Sequence, residues 1–118
     1  MTAPGETDLA TMLATLAVER RPGVFTHLTV ESVNPELFAA AHATVNEGSS
    51  TTVVVPVDVA QRHSHPVDAQ LAWLTLMVHS SLEAVGLTAH VSRLLALENI
   101  PCNVLAGYHH DHLLVPVE

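Results

Sequence analysis

Nine histidines, two adjacent serines and a single cysteine are the residues of this 118-residue chain with chemistry to offer. His79 directly precedes Ser80 and Ser81, and His109, His110 and His112 crowd one short segment. A serine beside a histidine raises acyl transfer, in which the imidazole takes the hydroxyl proton as the oxygen attacks. No GxSxG elbow surrounds either serine and no acid–base constellation completes the pair, so no enzymatic activity is expected. Convergence of His79, His110 and His112 would suit zinc or another borderline metal. None of the spacings is a metal signature such as HExxH, and His63-Ser64-His65 stands apart. The expectation is therefore no metal and no cofactor, with the turn histidines bonded to backbone or water. Cys102 sits in the apolar run IPCNVLAG, the setting of an inert, half-buried thiol.

Composition narrows the classes further. Hydrophobic residues make up 48% and charged residues 14%, against roughly 25% charged in an average soluble domain, which favours a packed core over a disordered tail. Arg20, Arg21, Arg62 and Arg93 are the only basic residues apart from histidine, against twelve acidic ones, for a formal charge of −8. Phosphate binding needs clustered cations and base stacking needs aromatic platforms, and at 3% aromatic content nucleic acid is excluded as a partner. MTAPGETDLA has no basic n-region, and no apolar run approaches a membrane span, so neither signal peptide nor membrane partner is expected. One cysteine precludes an internal disulfide and points to a reducing cytoplasm. Protonating all nine histidines would carry the formal charge from −8 to about +1.

The elements that must position these residues follow from periodicity. Leu9, Met12, Leu13, Leu16 and Ala17 fall at helical spacing over residues 8–18, with Arg20, Arg21, Pro22 and Gly23 as the stop. A strand follows, with Val24, Leu28 and Val30 on one face and Phe25, His27 and Thr29 on the other. Asn34-Pro35-Glu36 suits a helical opening, but the alternation from His42 to Glu47, the turn Gly48-Ser49-Ser50 and the β-branched TTVVVPV favour a hairpin across 34–57. Asp58 to His63 reads as one helical turn. Residues 69–79 are apolar on both faces, as in a strand inside a covered sheet. Leu87, Val91, Leu94, Leu95 and Glu98 form a helix running from Gly86 to a left-handed cap at Asn99. IPCNVLAG and DHLLVPV then make a hairpin turning at residues 108–110, with Pro101 suggesting a sheet edge. Strand, helix, strand, strand is the split βαβ core of a ferredoxin-like fold, the last strand slotting between the other two.

The stretch HSSLEAVGLTAHVSRLLALENIPCNVLAGYHHDHLLVP resembles the core of an ACT domain. More narrowly, the chain is similar to a group of small bacterial proteins built from two consecutive ACT-like units. The signature is strongest over 69–117 and weaker over 8–60, where TDLATMLATL and the hairpin before VVVPV fit the first unit. The resemblance implies an α+β, ferredoxin-like antiparallel sheet with helices on one face, in an N-terminal unit at 1–65 and a C-terminal unit at 66–118. Relatives continue after the final VP with another helix. The second unit here lacks it, which implies either truncation or cover by a second subunit.

A regulatory module that binds an amino acid or similar small effector, and that forms a homo-oligomer, is what the resemblance implies; a protein-interaction module without ligand and a histidine-based metal binder are the alternatives. The ligand-contacting loop of such a domain corresponds to Ser80, Ser81, Leu82, Glu83, Gly86, Leu87 and Thr88. Free N–H groups at a helix start suit a carboxylate. Glu83 or Asp111 can take an ammonium group, and Asn103 offers both donor and acceptor. Without a ligand, the serines would cap the helix and Gly86 would allow close packing.

Overall fold

Residues 17–32, 34–77 and 87–117 are described in the computed structural model. The described residues divide into two compact units, one within 22–72 joined by Val117, the other within 73–116 joined by residues 17–21.

β1 (Ala17–Val30) belongs to the first of these from Pro22 onward, and its Phe25 to Val30 segment pairs antiparallel with β3 (Thr51–Pro56). β1 begins seven residues before the expected strand, so Ala17 and Val18 are extended rather than helical. Arg20-Arg21-Pro22-Gly23 is not a stop. Proline's fixed φ suits extended backbone, and Gly23 at φ +104° lets the strand continue through a local deviation that a side chain would resist. The remainder of the predicted helix over 8–18 lies outside the described residues.

The expectation of a hairpin alone across 34–57 also needs correction, because a helix precedes it. In α1 (Pro35–Ala40), Asn34 Oδ1 accepts from the N–H groups of Glu36 and Leu37 at 3.0 and 3.3 Å, with Pro35 in the first turn where its missing N–H costs nothing. The hairpin follows as β2 (Ala43–Asn46) and β3, closed by Gly48 at φ +97° and by Asn46 Oδ1 accepting from Gly48 N at 2.8 Å. Then comes α2 (Val57–Arg62), the predicted single turn. Strand order in this unit is β2-β3-β1. Leu28, Val53 and Val55 face Leu37, Val59 and Ala60 of the two helices, and all six are buried. Thr26, on the same strand face as Leu28, is 1% exposed and its hydroxyl has no hydrogen-bond partner.

β4 (Leu71–Met77), which belongs to the other unit from Trp73 onward, is buried on both faces at its start, as its sequence predicted. The helix α3 (Leu87–Leu97) ends with Asn99 at φ +63°. Ile100 N donates to Leu95 O and Asn99 N to Ala96 O, both at 2.9 Å, which is the bond pattern of a Schellman cap. Val91 and Leu95 pack on Leu76 and Leu113, with Cys102 half-buried against the same cluster. Leu94, at helical spacing with them, turns outward instead and is 51% exposed. β5 (Asn103–Ala106) and β6 (Asp111–Pro116) form the expected antiparallel hairpin, and the order β4-β6-β5 puts β6 between the strands that α3 connects. β5 is thus an outer strand, as Pro101 predicted.

Candidate functional site

The turn into β6 is shaped by Gly107. Its N–H donates to the His110 carbonyl at 2.9 Å, and a Cβ built there would stand 2.8 Å from that carbonyl and 3.1 Å from His112 Nε2. Only glycine allows this approach. From the turn, alternation along β6 sends Asp111, Leu113 and Val115 to the α3 face, where the latter two join the core, and His112 and Leu114 to the opposite face.

On the α3 face, Thr88 Oγ1 donates to Asp111 Oδ2 at 3.0 Å. Through these two residues the start of α3 meets the end of the hairpin turn. Asn103 is not brought to them. It lies exposed opposite Leu114, on the other face, three residues or about 10 Å along the strand from the Ala106–Asp111 pair. Leu87 opens α3. Ser80, Ser81, Leu82, Glu83 and Gly86 lie outside the described residues, as does His79.

On the opposite face is a cluster that periodicity alone did not flag. His112 Nδ1 lies 3.1 Å from Trp73 Nε1 and 2.9 Å from Thr75 Oγ1. An indole N–H only donates, so Nδ1 is the acceptor, the Thr75 hydroxyl also donates, and the ring proton resides on Nε2. Both imidazole nitrogens are thereby committed, which leaves no lone pair for a metal in this arrangement. Burial, and then the neighbouring Arg21 and His110, hold the His112 pKa below the ordinary imidazole value, with Asp111 opposing them. The Arg21 guanidinium carbon stands 4.0 Å from the Trp73 ring centroid, a cation–π contact. His110 approaches His112 edge-on, with ring centroids 6.5 Å apart. Trp73 and Thr75 share a face by strand alternation, which was the available signal; its pairing with His112 depends on strand register.

Among the described residues no three histidine, cysteine, aspartate or glutamate side chains cluster as a metal site. An open cleft between α1 and α2, lined by Glu36, Ala39, Ala40, Val59, Arg62 and His63, lies in the other unit and gathers none of the predicted ligand residues. No helix among the described residues is long and apolar enough to cross a membrane.

Two helices over a β2-β3-β1 sheet, and a split βαβ unit with its polar pair at the helix start, define a mixed α+β protein of ferredoxin-like construction. Family models for the ACT domain match residues 4–72 and, separately, 68–118. The chain belongs to the ACT domain family, with two consecutive domains. It is similar to the crystal structure of a protein of unknown function from Vibrio cholerae, described as a possible transport protein, at 34% identity and a TM-score of 0.84, over 95% of this chain and 87% of that one. No curated protein matches. ACT domains are typically regulatory, ligand-binding modules rather than catalysts, and they commonly oligomerise.

Proposed function

We propose that this protein binds a small amino-acid-like effector at the start of α3 and acts as a cytoplasmic, homo-oligomeric regulatory module without chemistry of its own. The observation that carries this reading is the Thr88–Asp111 hydrogen bond. A carboxylate oriented by one neighbouring hydroxyl keeps lone pairs for an ammonium group. The N–H groups of the first turn of α3 beside it suit the carboxylate of the same ligand. Opposite charges a few ångströms apart are the chemistry of a zwitterion. Ser80, Ser81, Leu82, Glu83, Gly86 and Leu87 complete the proposed site, in a C-terminal unit taken as 66–118 after an N-terminal unit at 1–65.

A thermal-shift panel of free amino acids and nucleotides at millimolar concentration tests this. At least one amino acid or close analogue raises the melting temperature, and Asp111→Asn abolishes the rise while His63→Ala, in the other unit, leaves it intact. A panel that moves nothing, with no small molecule co-purifying, overturns the reading. The second reading, an interaction module without ligand, is favoured by the exposed apolar side chains of Leu94, Leu97, Ile100 and Val104.

A further inference from the structure

Trp73 is the sole tryptophan of the chain, 3% exposed, and its indole N–H is directed at His112 Nδ1. The same nitrogen receives the Thr75 hydroxyl, so one lone pair of β6 clasps two side chains of β4. This clasp exists only with Nδ1 unprotonated. Among the described residues, the titratable and charged groups that act on the ring are Arg21 from β1, His110 from the β5–β6 turn and Asp111 beside it on β6. Arg21 lies over the same indole, while the Asp111 carboxylate is on the other face and engaged by Thr88.

We propose that His112 is a proton-operated latch between β4 and β6, closed when its ring is neutral and opened when Nδ1 gains a proton. The chemistry follows from the donors. A protonated Nδ1 donates instead of accepting, and the Thr75 hydroxyl can reverse its role to receive it. The Trp73 indole cannot reverse, because it has no acceptor atom, and it loses this bond. The imidazolium also stands near the Arg21 guanidinium and His110, so protonation adds like-charge repulsion to a lost acceptor. The latch is built on the face of β6 opposite Thr88 and Asp111, so it stands whether or not a ligand binds there.

A lone tryptophan makes the latch directly readable. Its single indole N–H cross-peak in a nitrogen–proton correlation spectrum, together with its fluorescence, is followed in dilute protein from about pH 7.5 to about pH 5. The expected result is a one-proton transition with a midpoint below 6.5, in which the indole resonance moves and the emission changes while circular dichroism stays native. His112→Asn, whose Oδ1 sits where Nδ1 does and does not titrate, removes the transition. His110→Asn removes one repelling neighbour and raises the midpoint, so the latch remains testable if the first variant does not fold. An indole signal that is flat over this range in the folded wild type, a transition that survives in folded His112→Asn, or a midpoint unmoved by His110→Asn overturns the proposal.

Discussion

Thr88 and Asp111, 23 residues apart in sequence, are joined by a 3.0 Å hydrogen bond that ties the first turn of α3 to the first residue of β6. Thr88→Val keeps the shape and removes the donor. It is expected to lower stability by about 0.5–1.5 kcal/mol, the net worth of a typical hydrogen bond, and to weaken the thermal shift given by an amino-acid ligand. Wild-type binding at 100 times Kd stabilises by about 2.7 kcal/mol, so the reduction is measurable. A full shift in Thr88→Val would remove this hydroxyl from the site. Asn103→Ala, on the opposite strand face, should leave the shift unchanged.

Thr26 buries a hydroxyl with no hydrogen-bond partner beside the Leu28 core. Thr26→Val exchanges that group for a methyl of similar volume and should raise stability by about 1 kcal/mol, since the desolvation of an unpaired polar atom is relieved. Chemical denaturation at fixed pH checks this. A loss of stability would mean that the hydroxyl has a function in the folded state.

Gly107→Ala meets a backbone carbonyl at 2.8 Å rather than the yielding end of a side chain. The turn must open, and a destabilisation of about 1–3 kcal/mol is expected, accompanied by a shift of the His112 ring signals. Unchanged denaturation and unchanged spectra would show that the turn has room to spare.

The pH dependence has a definite sign. Burial lowers the His112 pKa in the folded state, aided by Arg21 and His110. Between that value and the ordinary 6.5 of the unfolded chain, the unfolded state binds more protons. Stability contributed by the neutral ring is therefore fully present above about pH 6.5 and is lost as pH falls through the depressed value. Melting temperatures of His112→Asn should fall less than those of the wild type on mild acidification; parallel curves would argue against the assignment.

Leu94, Leu97, Ile100 and Val104, on α3, the segment after it and β5, are 51%, 72%, 37% and 41% exposed. We expect self-association detectable by light scattering at about tens of micromolar, and a smaller assembly for Leu97→Glu. A monodisperse monomer in the wild type would refute it.

The parts of the fold written in local chemistry were legible in the sequence. Asn99 as a left-handed cap, Gly48 in the hairpin turn and Pro101 beside an outer strand each carry a backbone preference that acts over a few residues. Ala17 and Val18 are ambiguous in sequence because their apolar spacing fits a helix end as well as a strand, and pairing partners settle the choice. α1 is faint in sequence because six residues give too few turns for periodicity, leaving Asn34 as its main signal. In the site, Thr88 and Asp111 emerged from the family resemblance and the expected topology. The engagement of His112 by Trp73 and Thr75 depends on register between strands separated by a helix, which no local pattern encodes.

The turn at 107–110 also sets a phase. Asp111 and His112 are consecutive, yet each belongs to a different side of β6, so the two chemistries are kept apart by a single peptide unit. Adding or removing one residue in that turn would leave the composition of both sides nearly intact and exchange their occupants. An imidazole would then face Thr88 and a carboxylate would face the Trp73 indole. Length variation here is therefore far less tolerable than in the exposed Gly48 turn, where nothing lies within 4 Å of an added Cβ, and insertion scanning should find the first turn intolerant and the second permissive.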